Sequence, residues 1–171
     1  MDKDLTKLNK DELINLAREL AWNDEYGCYT RPGFRKMIWP SIAQEARWLI
    51  YFDIDGMGEL NALHTHAGVN AMIKNSLSIR GSDYLAGQRY SGDEFFVCVT
   101  DDPERGETDP IQLAVRLKEA LRENGLSATF AIAPVISDDL MENLEPAVQL
   151  VEQAKDRNER GIIIIAPGDP R

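Results

Sequence analysis

The sequence predicts an α/β or α+β fold in which helices pack on a mixed central β-sheet. Two observations favour this class. Segments of helical periodicity alternate with short apolar runs along the chain, and two β-rich runs flank one turn of small residues. The continuous apolar run from Trp48 to Phe52 is typical of a strand covered on both faces.

The other elements follow from local periodicity and turn signals. Apolar residues recur at helical spacing between Lys10 and Trp22, which predicts an amphipathic N-terminal helix in residues 1–22, ahead of a domain over residues 23–171. Pro40 is expected to interrupt or begin a helical segment. The remaining predicted helices are Phe34–Ala46, Glu59–Ile79, Ile111–Arg122 and Leu144–Arg157, and the remaining strands are Gln88–Tyr90, Asp93–Val99, Ser127–Ala133 and Ile162–Ile165.

Bulk properties exclude several classes of partner. The 171 residues suit one domain, and 29 acidic against 19 basic residues give a formal charge of -10, which disfavours nucleic acid and anionic membrane surfaces. A phosphate ligand would then need a metal ion. The charged start and the absence of a long apolar run predict a cytoplasmic protein. Cys28 and Cys98 are expected to be reduced, buried thiols.

Carboxylates stand where two predicted strands meet a turn. Asp53 and Asp55 share one orientation if their strand persists, and pairing of adjacent strands would bring Asp93 and Glu94 close to them. Such carboxylates, with a strand-end carbonyl such as that of Ile54, suit Mg²⁺, which leaves coordination positions for phosphate oxygens. Two such ions roughly 4 Å apart can activate a 3′-hydroxyl and stabilise departing pyrophosphate.

A structural explanation competes with this interpretation. An aspartate after a strand is commonly a turn residue or a helix N-cap, and acidic hairpins are common on protein surfaces. Each motif alone favours that explanation. The combination of an apolar strand ending in Asp-Ile-Asp with a later small-Gly-Asp-Glu hairpin favours a metal site.

With these motifs the sequence resembles the GGDEF domains, most of whose active members are diguanylate cyclases with a palm-like fold. The likeness spans most of the chain. Residues 23–34 (NDEYGCYTRPGF) resemble D-x-L-T-G-L-x-N-R-R-x-F, residues 53–70 resemble D-x-D-x-F-K-x-I-N…G-H…G-D, residues 89–95 (RYSGDEF) resemble R-Y-G-G-D-E-F, and residues 154–155 match a later A-K.

The resemblance implies a role for particular residues. Asp53, the carbonyl of Ile54 and Asp93 would bind two Mg²⁺ or Mn²⁺ ions, and Asp93 would also help to deprotonate the 3′-hydroxyl, with Glu94 as a second catalytic residue beside it. The implied substrate-binding residues are Asn61 on the guanine base, His66 and Asn70 in the nucleotide site, Gly92 where the backbone approaches phosphate, and Lys155 on the triphosphate.

The sequence also departs from the family pattern. Gly58 replaces the lysine that reaches the phosphates, which should weaken triphosphate binding. Glu25 stands where the family has an apolar leucine, and Thr65 and Val69 replace glycines. Ser91 replaces the first glycine of the signature. The loop that reads the base therefore differs from the usual one.

Asn70 is the most informative departure, because the family has an aspartate there that pairs with two donors of guanine. Aspartate only accepts hydrogen bonds, whereas asparagine both accepts and donates. Adenine presents an acceptor beside a donor, a pattern that asparagine pairs with elsewhere. One hypothesis is therefore that the site accepts ATP as well as GTP.

Arg80 and Asp83 have the R-x-x-D form of the family's product-inhibition site. Seven residues separate Asp83 from Ser91 here, against five in the family. A helix-terminal arginine beside a loop aspartate is the alternative interpretation.

The leading hypothesis for function is an enzyme that makes a cyclic dinucleotide. Two nucleoside triphosphates, one on each subunit of a homodimer, would exchange 3′-hydroxyl attacks on each other's α-phosphorus. The helix Lys10–Trp22 either joins the two chains or packs on its own domain. Two alternatives stay open: a catalytically silent module that binds a nucleotide or a protein, and a cyclase that makes a mononucleotide ring. The sequence also leaves open that these residues are a fragment of a longer sensor protein.

Overall fold

The computed structural model describes residues 5–80, 85–90 and 92–171. Its strands are β1 (Trp22–Asn23), β2 (Cys28–Tyr29), β3 (Ala46–Ile54), β4 (Ala86–Gln88), β5 (Glu94–Thr100), β6 (Ala128–Pro134) and β7 (Ile163–Ile165). Its α-helices are α1 (Lys10–Ala21), α2 (Arg31–Gly33), α3 (Trp39–Ile42), α4 (Met57–Leu63), α5 (His66–Leu77), α6 (Pro110–Glu123) and α7 (Leu140–Asp156).

The strands form one mixed sheet in the order β1-β2-β4-β5-β3-β6-β7. The long strand β3 pairs antiparallel with β5 on one side and with β6 on the other. The pairs β2–β4 and β6–β7 are parallel. The predicted mixed sheet with helices packed on it is confirmed.

Side chains alternate along β3, so the strand contributes to two separate cores. Leu49 and Tyr51 face the core that contains α3 and α7, here called the α7 face. Ile50, Phe52 and Ile54 face the core that contains α5 and α6. The prediction that this strand is covered on both faces is confirmed.

One predicted helix is two helices in the structure. The expected helix Glu59–Ile79 is divided into α4 and α5, because Thr65 caps the second helix by accepting a hydrogen bond from the amide of Gly68 at 3.0 Å. A 3₁₀ turn, Ser78–Arg80, follows α5. The break places His66 at the first position of a helix.

Two further predicted elements have different boundaries. The expected helix Phe34–Ala46 is a π-helix, Phe34–Ile38, followed by the short α3, which has Pro40 in its first turn. The helix expected from Leu144 starts at Leu140, because Asp139 caps it and Pro146 is tolerated inside it. The two-residue strands β1 and β2 are too short to show a periodic pattern in the sequence.

The predicted N-terminal helix is confirmed as α1, which ends at Ala21 because Trp22 pairs with Tyr29 in the sheet. Only Ala21 of this helix is buried, and Leu20 is 70% exposed. None of the helices in the described part of the chain has both the length and the apolar character that a bilayer crossing takes.

Cys28 and Cys98 are buried and do not form a disulfide, as expected. Burial raises the pKa of the Cys98 thiol to about 12, so this thiol is protonated at neutral pH and unreactive.

The contact between α1 and α2 requires glycine at position 33. A Cβ atom on Gly33 would lie 2.4 Å from the carbonyl oxygen of Ala21, and that backbone cannot yield as a flexible side chain would. We expect Gly33→Ala to lower the free energy of unfolding by about 1 to 3 kcal/mol, measured by urea denaturation.

Gly58→Ala is the matched control for this substitution. Gly58 lies in α4 with nothing within 4 Å of its ideal Cβ position. Gly58→Ala should leave the free energy of unfolding unchanged or raise it by up to about 1 kcal/mol. Equal effects of the two substitutions would show that the α1–α2 contact does not constrain position 33.

Candidate functional site

The acidic residues lie together where β3 and β5 end side by side. Asp53 is directly opposite Glu94 in the antiparallel register, and the amide of Ile54 donates to the carbonyl of Asp93 at 2.8 Å. Alternation places Asp53 two residues after Tyr51 and Glu94 two residues before Phe96, all on the α7 face. The predicted meeting of the two acidic motifs is confirmed.

Lys155 supplies the positive charge at this point. Its Nζ atom lies 3.0 Å from Oδ1 of Asp53 and 3.2 Å from Oδ1 of Asp55, and its side chain is only 17% exposed. The side chain therefore bridges two aspartates and is mostly shielded from solvent. The bridge also shows that Asp53 and Asp55 point to the same side.

Asp55 is fixed by two hydroxyl groups, one from the residue just before β6 and one from β6 itself. Ser127 donates to Oδ2 at 2.8 Å and Thr129 donates to Oδ1 at 2.9 Å. With Lys155 beside it, this carboxylate is fully engaged and 9% exposed. Asp55 therefore holds the end of β3 in place and positions Lys155, a role that the sequence analysis did not assign.

Glu94 is similarly engaged. Its Oε1 atom accepts from the Tyr51 hydroxyl and from Nη1 of Arg89, both at 2.7 Å. Burial, followed by the bond to Glu94, raises the pKa of Tyr51, so the phenol stays protonated and donates. Glu94 is thus oriented by two donors. Its catalytic role stays a prediction.

Asp53 is held in a partly desolvated, negatively charged place. Burial raises the pKa of its carboxyl to about 6; Lys155 opposes the rise, and the charges of Asp93 and Glu94 add to it. A divalent cation would neutralise this charge. Among the described residues, no group of three or more His, Cys, Asp or Glu side chains is placed so that it could hold a metal ion. Few carboxylates beside open positions suit Mg²⁺ with a phosphate ligand.

Four of the five predicted substrate-binding residues, all except Lys155, line one cleft beside the acidic cluster. The cleft has a volume of about 260 Å³ and is lined by Tyr26, Met57, Asn61, His66, Asn70, Gly92 and Asp93. We call it the nucleotide cleft. Asp93 belongs both to this cleft and to the acidic end of β5, so the two predicted halves of the site adjoin. The roles of these residues in binding stay predictions.

Two helices after β3 position the polar side chains of the cleft. The chain turns at Gly56, which has a φ of 65° that favours glycine, and α4 then carries Asn61. The cap at Thr65 starts α5 directly at the cleft. His66 and Asn70 are four residues apart, so they lie on the same side of α5.

The Tyr26 side chain packs closely on Gly92. A Cβ atom there would lie 2.3 Å from the hydroxyl oxygen of Tyr26, whose ring packs edge-on against Phe95. Burial raises the pKa of Tyr26. The aromatic side chain thus closes one side of the cleft, a contribution that the sequence analysis missed although Tyr26 lies inside the family-like segment 23–34.

Glu25 is the second missed residue of the site. Its Oε2 atom accepts a hydrogen bond from Nδ2 of Asn70 at 3.0 Å. The sequence held a signal for this contact, because both residues depart from the family pattern. The two departures occur in segments 45 residues apart, so only the fold shows that they are paired.

The predicted inhibitory site, Arg80 and Asp83, lies partly outside the described residues. Asp83 lies outside the described residues, and so does Ser91 of the signature turn. The backbone of Arg80 ends the 3₁₀ turn after α5.

No protein-family model matches the sequence, and no curated protein matches it. Solved structures do match the fold. One is a microbial GGDEF domain described for its interaction with cyclic di-GMP, with a TM-score of 0.66 and 17% identity over 88% of this chain and 99% of that chain. Another is the GGDEF domain of DgcB from Caulobacter crescentus in complex with c-di-GMP, with a TM-score of 0.60 and 18% identity over 86% and 94%.

A third structure is the active GGEEF domain of a diguanylate cyclase from Vibrio cholerae, with a TM-score of 0.57 and 18% identity over 83% of this chain and 99% of that chain. Identities this low establish the fold alone. The chain has the fold of a GGDEF domain, the fold of diguanylate cyclases, as the resemblance of its motifs implied.

The raised pKa of Asp53 predicts how stability depends on pH. Between its usual value of 3.8 and about 6, the folded chain binds a proton that the unfolded chain does not. The free energy of unfolding therefore falls as pH rises through this window, and above pH 6 the ionised carboxyl disfavours the folded state.

Substitution of Asp53 tests this dependence of stability on pH. We expect the free energy of unfolding of Asp53→Asn, relative to that of wild type, to be about 1 to 2 kcal/mol higher at pH 7.5 than at pH 4.5. The measurement is urea denaturation with a chelator present. Asp169→Asn, at an exposed position, is the control. An equal difference between Asp53→Asn and wild type at both pH values would contradict the prediction.

Proposed function

We propose that the chain is a diguanylate cyclase-type nucleotidyltransferase that condenses two nucleoside triphosphates, with GTP as the principal substrate, to a cyclic dinucleotide. The observation that carries the proposal is the position of Asp93. This residue lies at the acidic end of β5 and also lines the cleft formed by Asn61, His66, Asn70 and Gly92. A nucleotide with its base in that cleft would direct its phosphates toward Asp53.

In the proposed reaction, the 3′-hydroxyl oxygen of one nucleotide forms a bond to the α-phosphorus of the other, and the bond from that phosphorus to the bridging oxygen breaks to release pyrophosphate. A second, reciprocal transfer closes the ring. Asp93 would accept the proton of the attacking hydroxyl. Asp53, the carbonyl of Ile54 and Asp93 would hold Mg²⁺ or Mn²⁺, which when bound stabilises charge on the phosphates and lowers the pKa of the hydroxyl.

Lys155 would change partners during this cycle. Its Nζ atom lies within 3.2 Å of Asp53 and Asp55. A divalent ion on Asp53 would compete with Lys155 for this carboxylate and leave the lysine available to the triphosphate. Since Gly58 provides no cation, Lys155 would be the main protein cation for the phosphates in this chain.

Two observations favour a second candidate, a silent GGDEF-like module that binds a nucleotide or a protein. Gly58 lacks the cationic side chain, and Glu94 is already engaged by Tyr51 and Arg89. Substitution of Asp93 separates the two functions. A base-binding module has no need of this carboxylate, whereas the cyclase requires it.

We expect Asp93→Ala to abolish product formation, with a loss of at least about 100-fold. The measurement is mass spectrometry of the products made by the purified chain with Mg²⁺ and each common triphosphate. Asp169→Asn, at an exposed position, is a control that should retain full activity. A wild-type chain that binds nucleotide but yields no product would support the silent module. A mononucleotide ring as product would support the third function that the sequence left open.

The proposed reaction needs two chains, because each cleft holds one substrate. Helix α1 is the candidate for joining them. It presents an apolar stripe that includes Leu13 and Leu20, which are 43% and 70% exposed. With Leu16 and Ala17, these residues lie on one side of the helix. A parallel or antiparallel pairing of two such helices would cover the stripe.

We expect Leu13→Glu and Leu20→Glu to weaken self-association by at least about tenfold, measured by analytical ultracentrifugation, because a charge would enter the centre of the helix pair. The specific activity of wild type should rise with protein concentration, and this rise should move to higher concentration in both variants. Asn15→Glu adds the same charge on the opposite side of α1 and should change neither property. Unchanged association in the leucine variants would exclude α1 as the dimer contact.

A further inference from the structure

The pair formed by Glu25 and Asn70 fixes the orientation of an amide in the nucleotide cleft. Oε2 of Glu25 lies 3.0 Å from Nδ2 of Asn70. An ionised carboxylate has no proton to donate, so the partner facing it must be the NH₂ group of the amide and not the carbonyl oxygen. The chemistry of the pair therefore assigns the two ends of the Asn70 amide.

The two residues occupy different sides of the site. Asn70 and His66 line both the nucleotide cleft and a neighbouring cleft of about 400 Å³, whereas Glu25 lines only the neighbouring one. Oδ1 and Nδ2 diverge from one carbon atom. Because Nδ2 is directed at Glu25, the planar geometry of the amide turns Oδ1 away from that carboxylate.

The backbone under Glu25 is itself held in place. The amide of Glu25 donates to Oδ1 of Asn23 at 3.0 Å, and the amide of Gly27 donates to the carbonyl of Asn23 at 2.9 Å. Asn23 is paired with Cys28 in the sheet. The loop is therefore a closed turn that presents the Glu25 carboxylate from a fixed base.

We propose that Glu25 is a positioning residue that makes the nucleotide cleft selective for guanine, by holding the Asn70 amide with its oxygen toward the base. This inference rests on the proposed function. Guanine offers two donors on its pairing edge, N1–H and the exocyclic amine, and Oδ1 of Asn70 accepts from them. Adenine has an unprotonated nitrogen at N1, which is a hydrogen-bond acceptor. This nitrogen would face Oδ1 of Asn70, a second acceptor, and no hydrogen bond would form between them.

The fold thus alters what Asn70 implies when it is considered alone. An asparagine pairs with adenine only when its oxygen and its NH₂ group both face the base. Here the NH₂ group is directed at Glu25. The pair presents the base with the acceptor that an aspartate would present, and Glu25 compensates for the change at position 70.

Two substitutions at position 25 test the inference. Glu25→Leu removes the acceptor, and Glu25→Gln supplies an amide that can itself donate to Asn70 and allow its amide to turn. We expect wild type to bind GTP at least about tenfold more tightly than ATP, and both variants to lose about tenfold of this ratio. The measurements are equilibrium titrations and initial rates with GTP and ATP at saturating Mg²⁺.

A double variant tests whether Glu25 acts through Asn70. In E25Q/N70D the aspartate accepts in either orientation and the introduced glutamine amide can donate to it, so the preference for GTP should return. Asp24→Asn is the matched control, because Asp24 lies in the same loop and lines the same neighbouring cleft without contacting Asn70. It should leave the GTP-to-ATP ratio unchanged.

Glu25 is exposed, so its variants should unfold at the wild-type temperature, which a thermal scan checks. A GTP-to-ATP ratio that is the same in wild type, Glu25→Leu and Glu25→Gln overturns the inference while the proposed function stands. A wild-type preference for ATP also overturns it. A wild-type chain that binds neither triphosphate overturns the proposed function together with this inference.

Discussion

The antiparallel pairing of β3 with β5 and β6 is the constraint on which the site depends. Because side chains alternate along a strand, a β3 that is buried on both faces can place its terminal carboxylate on only one of them. The register puts Asp53 on the α7 face and opposite Glu94. A shift of one residue would turn Asp53 toward the apolar core of α5 and α6.

Neighbouring cations and hydrogen-bond donors compensate the charges of the carboxylates in the site. Asp53 is sufficiently buried that its ionised form is disfavoured, and Lys155 of α7 partly offsets this cost. Asp55 is satisfied by two hydroxyls and the same lysine, and Glu94 by a phenol and a guanidinium. Hydrogen bonds and ion pairs within the chain therefore hold these three carboxylates in position.

Within the fold of a GGDEF domain, this chain has altered residues at positions that the family resemblance assigns to the nucleotide site. The acidic end follows the family pattern, whereas Gly58, Glu25 and Asn70 do not. Two of these departures contact each other. Changes that look like independent losses along the sequence form one hydrogen-bonded unit in the structure, which is why substitutions in contact must be interpreted together.

The sequence by itself determined the main helices, the strand β3, the hairpin and the acidic residues at their ends, because apolar periodicity and turn residues act over a few neighbours. It did not determine the break at Thr65, the two short strands β1 and β2, or the engagement of Asp55 and Lys155. The pairing of Glu25 with Asn70 was likewise decided only by tertiary structure. These features join segments that are distant along the chain, and the hydrogen bonds and ion pairs between them exist only once the sheet has brought those segments together.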